Sequence, residues 1–194
     1  MGDMPADPRL RPHPGPCALK GRKHRGDGPP GVRKPARAYI GLGSNLDGPR
    51  GQLARALREL DRLPGTRCVA RSASYHSAPM GPADQPDYVN AVALIETRLD
   101  PYQLLSVLHC LERAHGRVRS GRRWGPRPLD LDILIYGDLC LQDPRLELPH
   151  PGLPRRNFVL YPLEEISPRL RIPGLGPVAD LVAACPRDGL VRLP

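Results

Sequence analysis

Aromatic side chains are nearly absent from this chain: of 194 residues, one is phenylalanine, one tryptophan and six tyrosine, 4% in all. That scarcity, together with the lack of an RNP signature, excludes the modules that bind single-stranded RNA by stacking bases on rows of sheet aromatics. Closely spaced cysteine pairs are missing too. The five cysteines (Cys17, Cys68, Cys110, Cys140, Cys185) are odd in number and far apart, with no Cys-x-x-Cys, which excludes a zinc ribbon and a disulfide frame. They read as reduced thiols of a cytoplasmic protein. No apolar run approaches the roughly 18 to 20 residues of a membrane span. No Gly-x-x-x-x-Gly-Lys-Ser/Thr occurs either, which excludes a P-loop.

What the chain has in excess is proline, 26 residues, and positive charge, a net +9. Much of both is concentrated at one end. Residues 1–36 hold eight Lys/Arg, three Asp, eight Pro and six Gly, with only five residues drawn from Val, Ile, Leu, Met and Phe. Such a segment cannot bury enough apolar surface to offset its ordering entropy, so a disordered tail is expected over 1–36, dispensable or preceding the start codon used in the cell. It is Arg-rich and acid-poor like a transit peptide, but neither Ser-rich nor amphipathic. Residues 37–194 carry 21 basic and 17 acidic side chains, only +4, so no specific nucleic acid partner is expected of the body. Its length suits one domain with a single core.

Within the body, hydrophobic spacing predicts a strand over Ala38 to Leu42 ending at Gly43-Ser44-Asn45, then a helix over Pro49 to Leu63 with Leu53, Leu57, Leu60 and Leu63 on one stripe. Strands follow over Thr66 to Ser77 and Tyr88 to Thr97, separated by a loop. Asp100-Pro101 with Gln103 has the form of a helix cap, and the helix buries Leu104, Leu105, Leu108 and Leu111 before Gly116 ends it. With a strand over Leu129 to Tyr136 the order is βαββαβ. An α+β fold is expected: a ferredoxin-like antiparallel sheet with helices on one face. A C-terminal extension adds a short strand near Leu139 to Leu141 and short helices over Phe158 to Ile166 and Val178 to Cys185.

The densest chemistry lies between Arg117 and Tyr136. Five arginines (Arg117, Arg119, Arg122, Arg123, Arg127) and Trp124 precede Asp130 and Asp132. Alternation along a strand puts both carboxylates on one face, roughly 7 Å apart. Two such charges repel, and burial makes each costly without a cation nearby. Oxygen donors of this kind suit Mg²⁺, which takes further ligands from water and phosphates, and arginines fork onto phosphate oxygens. An ion-pair network between the aspartates and arginines is the alternative reading at this point.

The compound pattern Arg-Trp-Gly-Pro-Arg-x-Leu-Asp-Leu-Asp-Ile at Arg123 to Ile133 resembles the 6-hydroxymethyl-7,8-dihydropterin pyrophosphokinase family of folate biosynthesis. The resemblance runs from Ala38 to about Ala183 and includes further blocks in order: Ala38 to Leu46, Gly81-Pro82-x-x-Gln85-Pro86-Asp87-Tyr88-x-Asn90, Gly116 to Arg119, Pro149-His150, and Arg156-x-Phe158. It implies transfer of the β,γ-pyrophosphoryl group of ATP to the pterin hydroxymethyl oxygen, leaving AMP. It further implies two Mg²⁺ ions on Asp130 and Asp132, with Arg119 and Arg127 as catalytic phosphate contacts. Glu112, Arg117, Arg119, Trp124, Arg127, His150 and Arg156 are the implied ATP contacts. Ser77, Pro79, Met80, Tyr88, Asn90, Trp124 and Phe158 are those implied for the pterin, with Ser44 and Asn45 shaping its pocket. His109 and Pro151 depart from the residues common in the family. A monomer without membrane attachment is expected. A nucleotide-sugar transferase of Asp-x-Asp type lacks here the larger domain it needs, and the intact aspartates argue against an inactive relative.

Overall fold

The computed structural model describes residues 34–82, 84–117 and 125–194. The chain runs through β1 (Ala36–Ser44), α1 (Pro49–Leu60), β2 (Thr66–Arg71), β3 (Tyr75–Ser77), β4 (Tyr88–Thr97), α2 (Pro101–Ala114) and β5 (Asp130–Tyr136). A hairpin of β6 (Leu141–Asp143) and β7 (Leu146–Leu148) follows, then a 3₁₀ turn (Leu153–Arg155) and α3 (Asn157–Ile166). The last elements are β8 (Arg171–Ile172), β9 (Gly176–Pro177), α4 (Val178–Ala183) and β10 (Val191–Arg192). In the main sheet β4 lies between β1 and the pair β2 and β3, β5 closes the far side of β1, and every pairing is antiparallel. This is the expected ferredoxin-like order, extended by β10 on the free edge of β3.

Local chemistry explains the boundaries. Asp100 Oδ1 accepts from the Tyr102 and Gln103 N–H groups at 3.0 and 2.9 Å, and Gln103 Oε1 accepts from the Asp100 N–H at 3.0 Å, a complete capping box for α2. Gly116, at φ 86°, turns the chain away after it. Helix α1 stops at Leu60, one turn before the expected Leu63, at the turn that leads through Pro64 and Gly65. The single strand expected over Thr66 to Ser77 is two strands. Ser72 breaks it: its N–H donates to the Val92 carbonyl at 2.9 Å, its Oγ accepts from the Val92 N–H at 3.0 Å, and the chain kinks before β3 resumes pairing with β4.

The sheet is covered on both faces, where helices on one face were expected. Leu53, Ala56, Leu60, Leu104 and Leu108 of α1 and α2 pack on Ala38, Ile40, Leu42, Ala93, Ile95 and Ile133. On the opposite face, Val159, Leu160 and Leu163 of α3 pack on Tyr39, Val92, Leu94, Leu134 and Ile135. The reason is visible in β4, which is buried without interruption from Val89 to Ile95, as a central strand between two layers must be. The expected tail over 1–36 lies outside the described residues except for its last three, of which Ala36 already pairs with Thr97 in the sheet. No helix among the described residues is long and apolar enough to cross a membrane.

At the base of α2 the His115 side chain is fully enclosed, bonded to Gln52 Oε1 at 2.6 Å and Glu59 Oε2 at 2.7 Å on α1. Partial burial alone would raise the Glu59 carboxyl, but hydrogen bonds from His115 and Arg55 outweigh it and hold the group below the usual carboxylate range. A depressed carboxyl stabilises the fold above its unfolded pKa and loses that contribution as pH falls through the folded one. Unfolding by urea between about pH 3 and pH 6 should therefore show wild type more stable than Glu59→Gln by about 1–2 kcal/mol above pH 5, with the gap closing below about pH 4. A gap independent of pH would contradict the ion pair.

Candidate active site

Three neighbouring strands build the floor. Gly43 of β1 stands opposite Asn90 of β4 on one side and Asp130 of β5 on the other, and Gly41 stands opposite Asp132. Alternation places all five on the face that α3 covers only in part. A Cβ on Gly43 would lie 3.2 Å from Asn90 Oδ1, and one on Gly41 would lie 3.3 Å from Leu134 Cδ2. Glycine at these positions keeps the floor bare between the carboxylates and the amide.

The charges are arranged above this floor. Arg117 Nη1 pairs with both Asp130 Oδ1 and Glu112 Oε1, and Arg127 Nη1 reaches Asp130 Oδ2 at 3.0 Å. Glu112 is itself buried and also accepts from the Leu131 N–H at 2.9 Å, which ties α2 to the strand that carries the aspartates. Asp132 faces Arg156 Nη1 at 3.4 Å and His150 Nε2 at 3.7 Å. Burial raises the Asp132 carboxyl above its usual range, and the charge of Asp130 adds to the rise against His150, Arg156 and Arg117. Burial lowers His150 despite Asp132, and its Nδ1 accepts from the Gly152 N–H at 3.0 Å, so the ring proton sits on Nε2, toward the cleft. For Arg127, burial opposes the charge, but the carboxylates of Asp130 and Asp132 prevail and its guanidinium stays protonated.

One wall comes from β3 and the loop to β4. Asn90 Nδ2 donates to Ser77 Oγ at 2.9 Å, both buried, and Tyr88 Oη donates to the Gly125 carbonyl at 3.2 Å. Burial raises the Tyr88 hydroxyl pKa, keeping it a neutral donor. Asn45, at the end of β1, ties three segments together. Its Nδ2 donates to Gln85 Oε1 at 3.2 Å and to the Pro86 carbonyl at 2.9 Å, and its Oδ1 accepts from the Arg127 N–H at 2.8 Å. Its own N–H donates to the Arg127 carbonyl at 3.1 Å. The facing wall is the start of α3, where Arg156 lies 6.0 Å over the Phe158 ring.

Two depressions result. The first, about 290 Å³, is lined by Gly41, Gly43, Ser77, Met80, Gln85, Tyr88, Asn90 and Phe158 and reaches Asp130 and Asp132. The second, about 450 Å³, lies between α2 and the β6–β7 hairpin and is lined by Leu105, His109, Glu112, Ile133, Arg145 and Leu146. Arg117, Asp130, Asp132 and His150 border both.

Of the residues singled out in the sequence, Asp130, Asp132, Arg117, Arg127, Tyr88, Asn90, Ser77, Met80, His150, Arg156 and Phe158 thus line the first depression, and Glu112 lines the second. Pro79 lines neither, although its neighbours Ala78 and Met80 do. Arg119 and Trp124 lie outside the described residues. Gly41, Arg145 and Gly152 were not singled out. The paired glycines in an otherwise apolar strand were the available signal for Gly41. Gly152 had none, since its role is to leave room: a Cβ there would lie 2.7 Å from Arg156 Nε.

Residues 39–168 match the family model described as 7,8-dihydro-6-hydroxymethylpterin-pyrophosphokinase (HPPK). The chain is 52% identical over 158 residues to the 2-amino-4-hydroxy-6-hydroxymethyldihydropteridine pyrophosphokinase of Pseudomonas aeruginosa, covering 81% of this chain and 97% of that one. The enzyme of the same name from Haemophilus influenzae is 48% identical over 156 residues, covering 80% and 97%. Among solved structures, wild-type Plasmodium falciparum HPPK-DHPS with pteroate matches at a TM-score of 0.63 and 14% identity, over 79% of this chain and 43% of that one. This last likeness is one of fold.

Asn45 supplies a test of the geometry that needs no ligand. Truncation to alanine removes three side-chain hydrogen bonds at a residue only 2% exposed. Asn45→Ala should lose about 2–4 kcal/mol in urea unfolding. A loss under 1 kcal/mol would mean that these bonds do not hold the two loops.

Proposed function

The chain belongs to the 7,8-dihydro-6-hydroxymethylpterin-pyrophosphokinase family, which moves a pyrophosphoryl group from ATP to 6-hydroxymethyl-7,8-dihydropterin in folate synthesis, and from that premise we propose how its two depressions divide the work. The first takes the pterin and the second takes ATP. The observation that carries this reading is that they share a border at Asp130 and Asp132. A group leaving one ligand there enters the other without crossing solvent.

The pterin is flat, with a donor and acceptor edge. Phe158 and Tyr88 offer faces for the ring, and Asn90, held in place by Ser77, offers an amide to its edge. The bare strip at Gly41 and Gly43 lets a planar group lie close to the backbone. On the other side, Leu105, Ile133 and Leu146 provide an apolar lining for a base, and His150, Arg117 and Arg145 surround the region where phosphates lie. Asn45 acts on the site indirectly, by placing the loop and Arg127.

The donor set fits Mg²⁺. Burial, and then the neighbouring charge of Asp130, raise Asp132, and no group of three or more His, Cys, Asp or Glu among the described residues forms a metal cage. Two oxygen ligands with the remaining positions left to water and phosphate describe a magnesium site better than a zinc site. Asp130 and Asp132 would hold two Mg²⁺ ions, whose charge would offset that of the phosphates. The chain itself supplies the rest. Arg117 and Arg127, which pair with Asp130, turn their remaining N–H groups to phosphate oxygens. His150 donates from Nε2 into the same space. For transfer of this kind, positioning and charge neutralisation account for most of the rate.

Mixing the protein with Mg-ATP and 6-hydroxymethyl-7,8-dihydropterin should give AMP only when the pterin is present, with little ADP. ADP formation would overturn the placement of the phosphates. Asp132→Asn should cut turnover by about a hundredfold or more while leaving the melting temperature in metal-free buffer unchanged or higher, because it removes a charge that Asp130 repels. Near-normal turnover would sink the assignment of Asp132.

A further inference from the structure

Both walls of the first depression are tied to the same C-terminal segment. After α4 the chain runs back past the start of α3, where Asn157 Nδ2 donates to the Pro186 and Asp188 carbonyls, each at 3.1 Å, and Tyr161 Oη donates to the Cys185 carbonyl at 3.2 Å. Asn157 directly precedes Phe158. The segment then crosses to the other wall, where β10 pairs with β3, Val191 opposite His76 and Arg192 opposite Tyr75. The Leu193 N–H donates to the Ser74 carbonyl at 2.8 Å, and Arg50 Nη2 donates to the Pro194 carbonyl at 2.7 Å. Two residues along β3 from Tyr75 is Ser77, which holds Asn90.

A single carboxylate joins these parts. Glu165 lies on α3, two turns beyond Phe158, and accepts from Tyr75 Oη at 2.8 Å, from the Ala73 N–H at 3.2 Å and from Arg192 Nη2 at 3.2 Å. It thereby connects the helix that carries Phe158, the kink from which β3 departs, and β10. Tyr75 is buried, so its hydroxyl has little recourse to water if Glu165 is lost.

We propose that residues 185–194 and Glu165 form a strap that sets the separation between the Phe158 wall and the Ser77–Asn90 wall, making Glu165 a positioning residue for the pterin. This rests on the assignment of the first depression to the pterin. The strap touches neither the aspartates nor the second depression, so its effect is specific to one substrate. A carboxylate on one segment with three donors from two others defines a distance, whereas apolar packing alone would tolerate sliding. The donors also leave a mark on the group itself. Burial would raise the Glu165 carboxyl, but Tyr75, the Ala73 N–H and Arg192 hold it below the usual range.

The test is steady-state kinetics with each substrate varied in turn, on full-length Glu165→Ala, Glu165→Gln, Arg192→Ala and Asn90→Ala, alongside thermal unfolding. Glu165→Ala should raise KM for the pterin roughly five- to tenfold and leave KM for ATP within about twofold. Glu165→Gln, which keeps an acceptor for the Ala73 N–H and Arg192, should recover most of the loss. Arg192→Ala removes an exposed partner and should shift the pterin KM about twofold in the same direction without unfolding the protein. Both KM values rising together in step with a lower melting temperature, or no pterin effect in a folded Glu165→Ala, would overturn the strap. Asn90→Ala separates the two levels. A pterin defect in Asn90→Ala without one in Glu165→Ala would refute the strap alone, whereas an unchanged pterin KM in Asn90→Ala would remove the pocket assignment and the strap with it.

Discussion

Two carboxylates on one face of one strand are the constraint around which the rest is arranged. Asp130 and Asp132 cannot both remain charged in a partly enclosed cleft without cations close by. The chain meets that requirement with arginines from both sides: Arg117 and Arg127 on Asp130, and Arg156 on Asp132. None of these pairs is self-sufficient. Arg117 is braced by the buried Glu112, which also holds the strand through the Leu131 N–H, and Arg127 is fixed through its backbone by Asn45. Acidic and basic side chains thus balance one another across the cleft.

That arrangement also dictates the shape of the sheet around it. A site on the face of a sheet needs a floor without side chains and walls that rise from neighbouring elements. Gly41 and Gly43 provide the floor. The break at Ser72 separates β3 from β2, Ser77 at the end of β3 lines one wall, and the start of α3 supplies the opposite wall. Covering the second face with α3 buries enough of β4 to make its apolar run continuous, yet α3 leaves the end beside the aspartates open. One helix therefore serves as both core and wall.

The likeness to solved structures at 14% identity and the much closer likeness to bacterial relatives bear on different levels. The first is a matter of backbone order, which many functions share. The second runs over 158 residues and, with the family model matched over residues 39–168, shows the family; residues of that span are the ones the fold brings together at the two depressions.

Much of this was legible in the residues. The capping box at Asp100, the leucine stripes of the two helices and the apolar strands around Asp130 are local patterns, and each acts within a few residues of itself. The spaced motif blocks named the chemistry and most of the side chains that line the site. Other features were not legible because they depend on what lies across space: the kink at Ser72 answers to Val92, the absence of a side chain at Gly152 answers to Arg156, and the second helical layer answers to the continuous burial of β4. Pro79 shows the reverse, since lying between Ala78 and Met80 in sequence did not bring it to the cavity. The sequence by itself determined which elements form and which chemistry they carry, because propensity, capping and charge are properties of short segments. Only the tertiary structure decided which of these groups share a cleft, because hydrogen bonds such as those of Asn45 and Glu165 join residues from 27 to 92 positions apart.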